Sequence, residues 1–114
     1  MGRRLATAHL NRANIHARRR KYAQAFADYA SAIALDPRNP LIPYNRGNAY
    51  LDARRYAMAV ADYTRVIELD AAFALAYLNR GIAREARGEA TGRGRGLSDG
   101  VGSQPGAGRR ATKV

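Results

Sequence analysis

Apolar residues along this chain keep helical spacing. Tyr22, Ala25, Phe26, Tyr29, Ala32 and Ile33 fall 3, 1, 3, 3 and 1 residues apart, which puts all six on one face of a helix. The stripe returns as Tyr56, Ala59, Val60, Tyr63, Val66 and Ile67, each 34 positions further on. The polar positions keep the same step: Asn11-Arg12-Ala13-Asn14 recurs as Asn45-Arg46-Gly47-Asn48, and Asn79-Arg80-Gly81 follows at the same offset. Between residues 6–39 and 40–73, 13 of 34 positions are identical, far above chance, so the period belongs to the fold.

Each 34-residue unit predicts two helices, of which the stripe above is the second. The first carries a small residue, Ala13, Gly47 or Gly81, where a neighbouring helix must come close. Asn39 and Pro40 read as an N-cap and a first helical residue. Pro43 is tolerated because first-turn amides have no acceptor in their own helix, and Pro37 closes the helix before. Asp70-Ala71-Ala72-Phe73 holds no such breaker, so phase alone places that boundary. The chain divides into an N-terminal extension (1–5), two units (6–39 and 40–73), a partial third unit with its first helix only (74–90), and residues 91–114. In the last stretch seven of 24 residues are Gly, a composition that cannot bury enough apolar area to offset chain entropy, and a disordered tail is expected. Two origins fit the interrupted third unit: a terminal cap made polar by Arg84 and Glu85, or a truncated or frame-shifted end.

A 34-residue helix–turn–helix unit carrying Tyr44-Asn45-x-Gly47-Asn48-Ala49-Tyr50, then Tyr56, Ala59, Tyr63 and Ile67-x-Leu69-Asp70, resembles the tetratricopeptide repeat (TPR). Asp36-Pro37 adds to the likeness, which extends over residues 6–89. It implies an all-α fold, a right-handed solenoid of antiparallel helix pairs with about five helices, to which the composition adds a disordered basic C-terminal tail. Two features depart from the family. Arg20 and Arg54 stand in the turn between helices where Gly is usual, and the early bulky aromatic survives only as Tyr77, replaced by His9 and Pro43.

The resemblance also implies a concave groove lined by the first helix of each unit. Its positions here are Thr7, Leu10, Asn11, Asn14 and Arg18, then Leu41, Tyr44, Asn45, Asn48, Leu51 and Asp52, then Leu75, Leu78, Asn79 and Ile82. Asn side chains both donate and accept, so they suit a peptide backbone, while Leu and Tyr take apolar side chains. The implied function is a protein–protein interaction module, a scaffold or adaptor that holds a peptide or a partner helix. Family members that clamp acidic chaperone tails use two Asn and three cations. Asn14 and Asn45 match the asparagines, but Leu10, Leu75 and Asn79 occupy the cation positions, so such a tail is not the expected partner.

Charge adds a second reading. The net charge is +11, and only Lys21 and Lys113 are lysines, an Arg bias that points to a GC-rich bacterial gene. Residues 1–21 hold seven cations and no acid, residues 22–90 balance eight against eight, and residues 91–114 hold five cations and Asp99. Arg18, Arg19, Arg20 and Lys21, with the Arg/Gly tail, form a basic patch able to bind nucleic acid or an anionic surface electrostatically. The tail has no aromatic residue for base stacking. Within the balanced middle, the recurrence of Arg12, Arg46, Arg80 and of Asp28, Asp62 suggests pairing between units, Arg46 with Asp28 and Arg80 with Asp62.

Other chemistries find no support in the sequence. Without Cys there is no disulfide scaffold, thiolate nucleophile or Cys-based zinc site. His9 and His16 are seven apart, roughly 10 Å along a helix, which is too far to share a metal. No phosphate loop, nucleophile–base pair or spaced carboxylate pair is present, so neither an enzyme nor a cofactor is expected. No apolar run approaches the ~20 residues of a membrane span, and the N-terminus lacks the apolar core of a secretory signal, which makes the cytoplasm the expected location. Fewer than three full repeats leave the fifth helix uncovered around Tyr77, and either a marginal monomer or self-association through that open end is expected.

Overall fold

The computed structural model describes residues 2–90, and these form five helices: α1 (Gly2–Arg18), α2 (Tyr22–Leu35), α3 (Leu41–Asp52), α4 (Tyr56–Leu69) and α5 (Ala74–Ala90). The all-α class and the helix count are those the period implies. Residues 2–5, set apart by sequence as an extension, are the first turn of α1. The tail expected to be disordered, residues 91–114, lies outside the described residues. Through Ala83 the chain is one compact unit, and a second begins at Arg84, described only as the end of α5. In the first unit α1 packs on α2, α3 packs on α4, and α3 also meets α1 and α2.

The turn inside each unit is the same hydrogen-bonded knot. Arg20 N–H donates to the Ala17 carbonyl at 3.0 Å and Lys21 N–H to that of His16 at 2.8 Å. Arg54 N–H reaches Leu51 at 3.0 Å and Arg55 N–H reaches Tyr50 at 2.8 Å. This pairing satisfies the last carbonyls of the preceding helix and requires a left-handed residue, a place glycine usually fills. Here Arg20 has φ 61° and Arg54 φ 63°. A β-carbon in that region is crowded by the following carbonyl, so both turns carry local strain.

Between the units two different sequences make one junction. α2 stops at Leu35, and Asp36 before Pro37 leaves the helical region at φ −143° and ψ 71°. Asn39 Oδ1 accepts from Leu41 N–H at 3.0 Å, and Pro40 is already helical at φ −67° and ψ −19°, so Asn39 caps α3 as its sequence predicts. At the next junction Asp70 takes φ −150° without a following proline. Its carbonyl accepts from Phe73 N–H at 3.1 Å as that of Asp36 does from Asn39 at 3.3 Å, and its carboxylate accepts from Ala72 N–H at 3.1 Å. The aspartate alone closes the turn by bonding its own downstream backbone.

The core is built mostly from alanines, with three tyrosines, Ile42 and Val66. Ala13, Ala25, Tyr29 and Ala49 form one buried cluster, and Tyr50, Ala59, Tyr63, Val66, Ala76 and Ala83 another. Phe26 packs against both and stacks on Tyr50 with ring centres 4.2 Å apart, which ties α2 to α3. Ala13 and Gly47 serve as expected, and a β-carbon on Gly47 would lie 2.8 Å from the Tyr63 ring, whereas at Gly81 nothing among the described residues comes within 4 Å of that position.

Candidate functional site

Two side-chain arrangements recur in α1/α2 and α3/α4, and they position the site. In the first, Arg12 bonds Asp28 through Nε and Nη2 at 2.7 and 2.8 Å, and Arg46 bonds Asp62 through the same atoms at 2.8 and 2.8 Å. These pairs lie within a unit and correct the expected pairing between units. Residues 16 apart join the two helices of one hairpin, whereas Arg46–Asp28 and Arg80–Asp62 would need residues 18 apart across hairpins. Arg80, the third in the series, donates to Thr64 Oγ1 at 3.2 Å. The Arg12 guanidinium, chiefly by hydrogen bonding, holds the Asp28 carboxyl down at about 2 against the opposing effect of burial. His9 Nδ1 adds a contact to Asp28 at 3.3 Å, and His16 Nε2 stands 3.8 Å away. The two histidines thus flank one carboxylate, although no group of residues suited to a metal occurs among the described residues.

In the second arrangement, the Tyr29 hydroxyl donates to Asn14 Oδ1 at 2.6 Å and the Tyr63 hydroxyl to Asn48 Oδ1 at 2.5 Å. Burial pushes the Tyr29 phenol up to about 12 and raises that of Tyr63 as well, so both remain donors at neutral pH. With each Oδ1 claimed by a core tyrosine, each amide Nδ2 is left as a donor without a partner among the described residues. A cleft of about 190 Å³ opens beside them between α1 and α3, lined by Asn14, Ala17, Arg18, Tyr29, Asn45, Asn48, Ala49 and Asp52.

This cleft brings together five of the sequence-predicted groove residues, Asn14, Arg18, Asn45, Asn48 and Asp52. Arg18 and Asp52 hold the same register one period apart, so its α1 and α3 sides are oppositely charged. The others stand elsewhere. Tyr44 packs on Tyr63 and Phe73, with ring centres 6.2 and 4.9 Å away, and Leu51 and Leu10 pack against the core clusters. These three side chains pack between helices and do not line this cleft. Asn79 does likewise, donating to Asn48 Oδ1 at 3.1 Å and to the Tyr44 hydroxyl at 3.3 Å. Asn45 Nδ2 turns back to the Leu41 carbonyl at 2.7 Å. Thr7, Asn11, Leu41, Leu75, Leu78 and Ile82 are exposed and do not line the cleft. Sequence reasoning missed Ala17, Ala49 and Tyr29. Tyr29 reads as pure core in a periodicity argument, and only its hydroxyl, bonded to Asn14, betrays that it reaches the cleft.

The basic patch Arg18, Arg19, Arg20 and Lys21 is exposed at the turn between α1 and α2, and Arg54 and Arg55 are exposed at the corresponding turn of the next unit. No helix among the described residues is long and apolar enough to cross a membrane.

Known proteins sharpen this picture. The family model described as tetratricopeptide repeat matches residues 44–73, and a second, described as TPR repeat, matches residues 13–53. Among solved structures, the chain is similar to the first TPR of Spaghetti (RPAP3) bound to the HSP90 peptide SRMEEVD. The identity is 30% and the TM-score 0.71, over 76% of this chain and 69% of that one. It is also similar to the Arabidopsis OM64 TPR domain, at 25% identity and TM-score 0.71, over 80% of this chain and 75% of that one. No curated protein sequence matches the chain.

Proposed function

The chain belongs to the tetratricopeptide repeat family, and from that premise we propose that it is a non-catalytic protein-interaction module whose α1–α3 cleft holds an extended peptide. The observation that carries this reading is the doubled Tyr–Asn bond. Tyr29–Asn14 and Tyr63–Asn48 fix two asparagines, one period apart, on the lining of the same cleft, and no described residue takes their amide N–H groups. Donors fixed by buried partners lose little entropy on binding, which favours recognition of backbone carbonyls.

The peptide is not of the kind the Spaghetti domain takes. SRMEEVD ends in carboxylates, and this chain offers Leu10, Leu75 and Asn79 where cations would clamp them, with Asp52 on one side of the cleft. A segment with a cation near the Asp52 side and an acid near Arg18 suits it better. Selection from a displayed peptide library tests this. The selected peptides are expected to weaken at least tenfold with Asp52→Lys and with Asn14→Ala/Asn48→Ala, while SRMEEVD binds weakly or not at all. Peptides indifferent to both changes would remove the cleft as the working surface. Asp52 is exposed, so its substitution separates lost binding from lost folding.

A second reading rests on the alignment of two basic turns, Arg18–Lys21 and Arg54–Arg55, in adjacent hairpins. They suit a polyanion, whose binding weakens steeply with salt. Single-stranded RNA titrated at 50 and 200 mM salt, with Arg19→Gln/Arg55→Gln as control, decides between the two surfaces.

A further inference from the structure

In each complete unit the first helix receives the second through three devices in fixed register. A small residue, Ala13 or Gly47, lies under the Tyr29 or Tyr63 ring. One position earlier, Arg12 or Arg46 grips Asp28 or Asp62 with two bonds. One position later, Asn14 or Asn48 accepts the tyrosine hydroxyl. The second helix answers with an adjacent Asp-Tyr pair in both cases.

α5 is a first helix that keeps two of these devices without the carboxylate and the ring that answer them among the described residues. Gly81 holds the register of Ala13 and Gly47, yet among the described residues nothing lies within 4 Å of where its β-carbon would stand. Arg80 holds the register of Arg12 and Arg46; it donates to Thr64 Oγ1 and lies over the Tyr77 ring at 5.6 Å, and no carboxylate meets it among the described residues. Tyr77, Leu78 and Ile82 flank this socket and are 45%, 59% and 46% exposed. The equivalents of Tyr77 and Leu78 in the complete unit, Pro43 and Tyr44, are buried and half-buried. The third device is altered: Ile82 replaces Asn14 and Asn48, so a tyrosine hydroxyl placed there would lose its acceptor.

The chain's own continuation does not carry the answering pair. At the register of Asp28-Tyr29 and Asp62-Tyr63 the sequence has Gly96-Leu97, preceded by Gly92 and Gly94. We propose that the exposed face of α5 docks one amphipathic helix of another protein, carrying an Asp-Phe pair, which completes the third unit in trans. Its Asp pairs with Arg80, its Phe ring covers Gly81, and Ile82 selects Phe over Tyr. This surface is separate from the α1–α3 cleft and stands or falls independently of it.

A fluorescent peptide of residues 55–70 carrying Tyr63→Phe, titrated into the full-length chain, tests the proposal by anisotropy. Saturable binding is expected, weakened at least tenfold by Asp62→Asn in the peptide and several-fold by restoring Tyr63. Gly81→Val in the chain should weaken it at least tenfold without lowering the melting temperature. That variant also separates docking on α5 from displacement of the chain's own α4, which it would leave unchanged. Absence of saturable binding, or indifference to Gly81→Val, overturns the proposal. So does a dimer in sedimentation velocity that Gly81→Val dissolves, since a second copy then covers the face. Binding that emerges only with Leu97→Asp also overturns it, by assigning the face to residues 91–114.

Discussion

The two complete units make the same bonds in different surroundings. The Arg12 side chain is 63% exposed and that of Arg46 only 19%, while the carboxylates they hold are 9% and 2% exposed. Around Asp28 stand His9 and His16; the same registers in the next unit hold Pro43 and the buried Tyr50. Asp62 gains a further bond from Arg65 at 2.7 Å. The repeat fixes which atoms meet, and position in the stack fixes what the meeting is worth. α3 lies against α1 and α2, and the Tyr63 cluster takes in Ala76 and Ala83 of α5, so the second unit is covered where the first is open to water. An exposed ion pair contributes little, whereas breaking a buried one strands a charge.

The largest expected effect follows directly. Asp62→Ala leaves Arg46 buried without its carboxylate and should cost about 3 kcal/mol, against about 1 kcal/mol for Asp28→Ala, where Arg12 turns to solvent. Urea denaturation of both variants measures the difference, and equal losses would break the comparison. The glycines extend it to α5. Gly47→Ala forces the Tyr63 ring to move and should cost about 1–2 kcal/mol. Gly81→Ala meets open space in a helix interior and should gain up to about 1 kcal/mol. A loss at Gly81 would mean that the socket on α5 is already filled.

Acid denaturation probes the pair in the first unit. The Asp28 carboxyl, ordinarily at 3.8, lies at about 2 in the folded chain. Its contribution is therefore complete above about pH 4 and is lost as the pH falls from there towards 2, and it amounts to about 1 kcal/mol once solvent screening at the exposed Arg12 is allowed for. Asp28→Asn should flatten that limb of the stability profile, read by circular dichroism between pH 5 and 2. An unchanged limb would mean that Arg12 leaves Asp28 as it is in the unfolded chain.

What sequence makes legible here is whatever repeats. The period, the hairpin helices, the small residues under the tyrosines and the Asn39 cap all follow from spacing. The pairing partners of the arginines do not, because recurrence at 34 says that Arg12 and Arg46 play one role without saying whether the aspartate lies in the same hairpin or the next. Nor does it separate cleft from packing. Asn45 and Asn48 sit three residues apart on α3, yet one bonds its own helix and the other holds a core tyrosine. Tyr44 and Leu51 occupy groove registers but are drawn inward by Phe73 and the α4 core. Such choices depend on which neighbour fills the space, and period carries no record of that.

The smallest effect is the one in which the two units should agree. Arg20 and Arg54 take left-handed φ values of 61° and 63°, and both side chains are exposed. Their strain belongs to the backbone of the turn and owes nothing to burial, so the inequality seen at the aspartates should vanish. Arg20→Gly and Arg54→Gly should each stabilise by about 0.5 kcal/mol, the relief of a crowded β-carbon being partly offset by the added freedom of glycine in the unfolded chain. Far apart in sequence and without a shared partner, the two should add in the double variant. Thermal melting measures all three. Unequal gains would show that the side chain, and with it the basic edge, contributes to folding. Equal gains accompanied by weaker RNA binding would show instead that the arginines are kept at the cost of stability.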